Sequence, residues 1–502
     1  MASTFAVTRN HLIFGVCLPF AVLLGYLLAD ISDPVSRVVI GISIAVLSFP
    51  LLMRWYHPLM ILAWNSAAQV SFLPASPPMW TFFAAVGLFF AVLNRSVNSE
   101  NKFVHAPSLT LPLVLFAILV VVTAAMTGGI SIQTLGSTGR GGRSYVFLLA
   151  AIIGYFALSS RTISPKHAYF YLAFFYLPAM VSALTHIVAY VGPLGKIIYF
   201  FYPGETDSDP FSPTQGLSIG EIRYGGLTTA SLAFFCWLLS RYGVKGVFDL
   251  ARPWRMILFL GGISVGLLGG FRSHLILVTL IFSILFIVEK LWHTKVMLLV
   301  AVFGVLFMVF LLGFADKLPT TIQRSFSFLP VGIDPMIKAQ AESSSEWRIN
   351  IWKVVVDEVP VYFFKGKGYT FSEDDMYMAQ FRMNYTGDVG AAQGAIISGD
   401  YHNGPLSLLI PFGIYGLVIF MWIIAAGSLY LYKNYQHGLP ELKVINGFLF
   451  ACFTAHAIFF FAIFGAIAFE LYVYTGILGL SVALNTRKTP EPAPEGNLAL
   501  QT

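Results

Sequence analysis

The sequence predicts an all-α polytopic membrane protein with about 12–14 transmembrane helices and one large extracytoplasmic lid loop. Three observations predict it. Apolar runs of bilayer-crossing length recur along the chain. Only 11% of the 502 residues are charged while 57% are hydrophobic, whereas a soluble domain carries about a quarter charged residues. Lysine and arginine also gather in alternate connections, as they do when one face of a membrane retains them. The alternating apolar–polar pattern of a membrane β-barrel is absent.

Fourteen candidate spans follow in order: 12–29, 35–53, 55–73, 79–94, 109–126, 144–160, 167–191, 224–241, 254–270, 272–289, 294–314, 403–432, 444–464 and 466–484. The pairs 35–53/55–73, 254–270/272–289 and 444–464/466–484 have almost no connection between them. The first run follows Arg9-Asn10-His11 and resembles a signal peptide, but Leu28-Ala29-Asp30 is a poor small-x-small cleavage site, so a retained span is expected. Cys17, Cys236 and Cys452 all lie inside apolar runs and imply neither a disulfide framework nor a metal site. No internal repeat of the kind found in many transporters is evident. The Pro- and Glu-rich tail after Lys488 has the composition of a disordered segment. Four regions result: N-terminal spans 1–222, a central region 223–432 containing the loop 315–402, C-terminal spans 433–488 and a tail 489–502.

Charge sets the orientation. With the N-terminus inside, the inner connections hold sixteen basic residues, the short outer connections six and the long loop eight. This bias predicts cytoplasmic termini and an outward-facing 315–402 segment. The net charge of +6 therefore reflects topology rather than affinity for nucleic acid.

The segment 315–402 is about 88 residues long, too long for an ordinary connection and long enough to fold as a lid. It closes with Asp400-Tyr401-His402-Asn403-Gly404-Pro405, where the chain re-enters the membrane. His402 is the natural base, since histidine accepts a proton near neutral pH; it equally suits an interfacial residue before a helix capped by Asn403. His274 is a second candidate for the same work. Outward arginines are scarce. Arg223 lies at the mouth of the eighth span, Arg272 in the short hinge Gly269-Gly270-Phe271-Arg272-Ser273-His274, and Arg143 just before the sixth span. A guanidinium fork suits bidentate contact with phosphate; the competing reading is an arginine snorkelling to headgroups. Asp207-Ser208-Asp209 and Glu373-Asp374-Asp375 have cation-binding spacing but sit in turn-forming, solvated surroundings. Asp30 and Asp33, in the first outer loop, are a minor metal-binding alternative. Glu470 and His456 lie inside the last two spans, where a helix–helix hydrogen bond explains them.

Five segments together resemble the O-antigen ligase/O-antigen polymerase superfamily. Arg223-Tyr224-Gly225-Gly226 resembles that family's arginine–small–glycine opening of a span. Gly270-Phe271-Arg272-Ser273 resembles its arginine hinge, with Phe271 in place of the usual small hydroxyl residue. The long outer loop follows two spans later. Within it, Trp347-Arg348-Ile349-Asn350-Ile351-Trp352, Pro360 and Gly366-Lys367-Gly368 resemble R-x-x-x-W…P-x-x-G-x-G. His402-Asn403 with Leu406, then Gly413-Ile414-Tyr415-Gly416-Leu417, resembles H-N-x-x-L…G-x-x-G-L.

The resemblance implies a C-type glycosyltransferase-like architecture. It also implies a metal-independent glycosyltransferase without cofactors at the outer face of a bacterial inner membrane. The donor would be an undecaprenyl-diphosphate-linked glycan and the acceptor a glycan or lipid A–core. On that reading Arg223 and Arg272 hold the diphosphate, His402 is the base, and Arg143, Arg348, His274 and Asn403 contribute to substrate binding. A transporter or flippase of the same lipid-linked glycan is the alternative; it would place its arginines in a midplane cavity.

Overall fold

The computed structural model describes residues 34–70, 76–97, 106–127, 142–186, 223–369 and 399–486, with isolated positions between 19 and 25 and between 195 and 202. Among them the chain is all-helical, with no strand. The expected span 12–29 is covered only at isolated positions, and Asp30, Asp33, Arg140, Asp207, Asp209, Glu373 to Asp375 and the tail 489–502 lie outside the described residues.

The chain divides into two compact units, Met1–Tyr56 and His57–Thr502. The described part of the first is mainly the beginning of α1 (Pro34–Trp64), with Ser43 buried and Leu47, Leu51 and Trp55 exposed. The sequence suggested two spans over 35–73, but one 31-residue helix runs through Arg54. A single charge flanked by apolar residues, with no glycine beside it, does not end a helix.

The second unit carries α2 (Met79–Val97), α3 (Pro107–Thr127), α4 (Gly142–Leu158) and α5 (Ala168–Tyr176), which continues as a 3₁₀ stretch to His186. After these come α6 (Gly225–Val247), α7 (Trp254–Leu267), α8 (Arg272–Val288) and α9 (Lys295–Phe314). The lid supplies α10 (Thr320–Ser325) and α11 (Pro335–Tyr362), and the chain ends in α12 (Gly404–His437), α13 (Lys443–Ala462) and α14 (Ile467–Asn485). Seven helical segments among the described residues are long and apolar enough to cross a membrane; α4, α7 and α8 are apolar but shorter. This is an all-α polytopic membrane protein. α4 packs against α2 and α14, α3 against α12, α6 against α7 and the 3₁₀ stretch, and α8 against α13. Large side chains fill the centre, among them Trp64, Phe116, Tyr155, Phe420, Phe453 and Tyr474, all fully buried.

The lid is built on α11. Asp334 caps it by accepting from the Met336 amide (2.8 Å), and Pro335 occupies the first turn, where its missing N–H costs nothing. Ile337, Ala341, Ile351 and Val355 form a buried stripe at helical spacing. Its second half, Ile351 and Val355 with Trp347 and Trp352, packs on Tyr401, Leu406 and Ile410, so this helix pins the segment leading into α12.

The end of the lid is also tied to α12. α12 breaks at Gly413, whose φ of 64° suits glycine. Around the break the Ile410 and Pro411 carbonyls accept from the Lys367 and Gly368 amides (2.7 and 3.0 Å), and the Ile414 amide donates to Phe363 (2.7 Å). The G-x-G and G-x-x-G-L segments, far apart in sequence, are the two halves of this joint.

Candidate functional site

The site grows from the α7–α8 hinge. The Tyr224 amide donates to the Gly269 carbonyl (3.2 Å), which brings the start of α6 against the hinge. A side chain at position 269 would collide with Thr228 and crowd the Tyr224 and Gly266 carbonyls, and Gly270 has φ 78°. Both positions therefore require glycine. The result places Arg223, just before α6, beside Arg272 at the first position of α8. Phe271, the departure from the family's hinge, lies beneath Arg223 with the guanidinium 5.6 Å from the ring centroid; this cation–π contact orients the arginine.

The lid closes over this corner. Arg272 Nη2 donates to the Ala341 carbonyl (2.9 Å) and to Ser345 Oγ (3.2 Å), both on α11. On α10, Ser325 Oγ donates to the Leu267 carbonyl (3.2 Å) beside the hinge, and its neighbour Arg324 is buried. Gln323 ties the loop together, donating to the Asp316 and Leu318 carbonyls and accepting from the Asp334 amide.

Arg348, one helical turn beyond Ser345, is the centre of the charge cluster. Burial, then the like charges of Arg272 and Arg223 and, more weakly, of Arg324, push its guanidinium below the ordinary arginine value, while Asp400 opposes them. Arg223, Arg272, Arg324 and Arg348 therefore share one electrostatic neighbourhood with Asp400. The Nε of Arg348 and the Nε1 of Trp347 are buried without a hydrogen-bond partner. Unsatisfied buried donors in a cationic cluster are costly unless an anion enters.

His402 completes the site. Its Nδ1 lies 2.8 Å from Asp400 Oδ1, and the same oxygen accepts from the His402 amide at 3.4 Å. The residue has φ 52°, a left-handed conformation that a non-glycine residue holds only where its surroundings demand it. Those surroundings are the Trp347 ring (centroids 5.3 Å apart) and the Phe464 ring between α13 and α14 (4.9 Å). Arg348 lies over the same Phe464 ring at 5.8 Å. Trp352 Nε1 donates to the Tyr401 carbonyl (2.9 Å) and so fixes the turn from α11. His402 keeps 21% of its side-chain surface exposed. With Asp400 accepting from Nδ1–H, Nε2 carries the lone pair.

The structure thus brings Arg223, Arg272, Arg348 and His402 together and adds Asp400 and Arg324, which sequence reading did not single out. Asn403 is engaged otherwise: its side chain accepts from the Leu406 amide (3.1 Å) and caps α12. His274 is buried between α6, α7 and α8, with Nε2 3.3 Å from Ser231 Oγ. Arg143, on the first turn of α4, lies over Phe147 at 5.1 Å and is not among the charges felt at Arg348. His186 was not anticipated; it stands edge-on to Tyr224 (5.1 Å), with a buried Nε2 that has no partner. No grouping of three or more His, Cys, Asp or Glu able to hold a metal occurs among the described residues.

An all-helical membrane bundle thus carries a cationic cluster and an Asp–His pair at one end, under a lid helix. Residues 256–421 match the family model described as O-antigen ligase. The match covers about a third of the chain and supports its similarity to the O-antigen ligase/O-antigen polymerase superfamily of membrane glycosyltransferases. It spans the hinge, the lid and the His402 turn and stops short of Arg223. No curated protein matches the chain.

Proposed function

We propose that the chain transfers a glycan from a polyprenyl-diphosphate carrier, such as undecaprenyl diphosphate, to a sugar hydroxyl of an acceptor. The acceptor is lipid A–core for a ligase or another lipid-linked glycan for a polymerase. On this reading 223–432 is the transferase region, the 315–402 lid and the arginine cluster face the periplasm of a bacterial inner membrane, and the C-terminus, three helices after the lid, is cytoplasmic. The observation that carries the reading is the convergence of Arg223, Arg272, Arg324 and Arg348 beside the Asp400–His402 pair.

The chemistry follows from those groups. The donor's diphosphate enters the arginine cluster, where fixed positive charge stabilises the negative charge that develops as it leaves. The acceptor hydroxyl oxygen attacks the anomeric carbon while Nε2 of His402 takes its proton. The bond from the anomeric carbon to the diphosphate oxygen breaks, and its electron pair leaves with the carrier. Asp400 holds the imidazole in the required tautomer and balances the imidazolium that forms. The guanidinium groups supply the stabilisation that a metal ion supplies in other transferases, so transfer is expected to survive excess EDTA. α11 positions the acceptor and excludes water, whose attack would waste the donor.

Glycan transfer from purified lipid-linked donor tests the reading. His402→Ala is expected to lose on the order of 10²–10⁴-fold in rate with donor binding retained. Arg272→Lys keeps the charge but loses the planar fork, and is expected to remain severely impaired. Normal turnover by both variants would make the histidine a boundary residue and the arginine a lid anchor, and would remove the catalytic reading.

A further inference from the structure

We propose that the opposite end of the bundle holds a second anion site, which takes the headgroup phosphate of an anionic phospholipid. The same helices make both ends. α6 leads from Arg223 to Lys245, and α8 from Arg272 to Lys290. α12 runs from the His402 turn to the same far end, where α13 begins at Lys443. The 17 residues of α8 separate the two ends by about 25 Å. This inference does not depend on the transferase reading.

A cavity of about 990 Å³ opens there, and four of its lining residues are Lys245, Lys290, Lys295 and Lys443. Its two acids are Glu289 and Asp249. Both are engaged by backbone. Glu289 accepts from the Val244 and Lys245 amides (2.9 Å each), which the break at Gly243 frees from α6, and Asp249 accepts from the Ala251 amide (3.1 Å). None of the four lysines has a carboxylate within ion-pairing distance among the described residues. Lys290 takes up a left-handed conformation (φ 55°) just past α8, a position where glycine or asparagine is the usual choice. The chain accepts a strained lysine at the cavity edge.

The rest of the wall identifies the ligand as a lipid. Phe248, Leu285, Val288, Val296 and Val444 line the cavity between the lysines. α9 starts at Lys295 on its rim and buries only Leu311 of its twenty residues, so the cavity edge continues onto a helix left to hydrocarbon. A free phosphate would use the lysines and leave the apolar wall wet. A phospholipid, with phosphate on the lysines and an acyl chain along the wall and α9, uses both. On the orientation proposed above it comes from the cytoplasmic leaflet.

The test is native mass spectrometry of the full chain released from detergent after incubation with phosphatidylglycerol, phosphatidylcholine or inorganic phosphate. Wild type is expected to retain phosphatidylglycerol preferentially and no inorganic phosphate. The triple variant Lys245→Gln, Lys290→Gln, Lys443→Gln is expected to lose roughly 10²-fold of that preference. Lys290→Gly relieves the left-handed residue while removing one charge, so it tests the site even if the triple variant misfolds; it is expected to bind about 5-fold more weakly. Equal retention of the two lipids by wild type, or an unchanged preference in Lys290→Gly, overturns the proposal, as does retention of inorganic phosphate alone. Lipid retention that emerges only on deletion of 489–502 also overturns it, since the chain's own acidic tail would then be the occupant.

Discussion

Asp400 stands two residues before His402 and holds its Nδ1 at 2.8 Å, so on the proposed reading the two act as a directed pair rather than as a lone base. Asparagine at Asp400 can offer its amide N–H to Nδ1 and favour the tautomer whose Nε2 carries the proton, which cannot accept another. Asp400→Asn is therefore expected to lower transfer by roughly 10²-fold or more while leaving donor binding near wild type. The double variant Asp400→Asn, His402→Ala should be no slower than His402→Ala alone, because residues that act as one unit are not additive. Additive losses in that cycle would assign Asp400 to lid folding instead. At this scale the sequence exposed the site unevenly. Arg223, Arg272 and His402 were visible because each is a polar group at the end of an apolar run. Arg348 was visible through its place in a recurring pattern. Asp400 lies in the same closing segment as His402, but only the left-handed turn at His402 brings its carboxylate back onto the ring. Arg324 lies in a six-residue lid helix with no periodic signal, and the cation–π role of Phe271 depends on a contact 48 positions away in the chain.

The lid helix α11 and the entry to α12 stabilise one another. Trp352 contributes apolar area to the stripe and one hydrogen bond to the Tyr401 carbonyl. Trp352→Phe keeps most of the area and removes the bond, at a cost of about 1 kcal/mol. Its expected effect is faster amide exchange or protease cleavage near 399–403 and reduced transfer, with membrane insertion unchanged. Asn403→Ala removes the α12 cap at a similar cost of about 1 kcal/mol and should loosen the same turn. If both variants show wild-type protection and wild-type transfer, the turn is held by packing alone. Most helices after α1 were legible because a bilayer fixes both their length and their apolar character. The boundaries of α9, α13 and α14 differ from the expected spans by one or two residues. α1 was less legible, since hydropathy does not distinguish one long helix carrying a charge from two short ones. The joint at Gly413 was visible only as two separate glycine patterns, because nothing in the linear sequence says that they meet.

For the whole molecule, charge gathers at both ends of the bundle. Arg223, Arg272, Arg324 and Arg348 lie with Asp400 and His402 under the lid; four lysines line the cavity at the other end, where Arg255 also donates to the Gly246 carbonyl. Arginine offers the planar fork that a diphosphate needs, whereas lysine is a compact, hydrated charge suited to headgroups and to retention at the cytoplasmic face. Lys290 before α9 and Lys295 at its start, with Lys433 near the end of α12 and Lys443 after it, support the proposal that the lysine end is cytoplasmic and the lid outside. The side of the N-terminus depends on the parity of the spans before the lid, and α1 is one helix where two spans were expected, so the proposal extends to the lid and the C-terminus alone. A cysteine at Ser344, on the lid helix, is expected to react with an impermeant thiol reagent in cells whose outer membrane has been permeabilised. A cysteine at Glu495, in the tail, is expected to react only after the inner membrane is opened. The three native cysteines are controls; Cys236 and Cys452 are buried and should stay unlabelled in the folded protein. The opposite labelling pattern would put the arginine cluster in the cytoplasm. The periplasmic transfer reaction would then be untenable, although the cluster would still bind an anion.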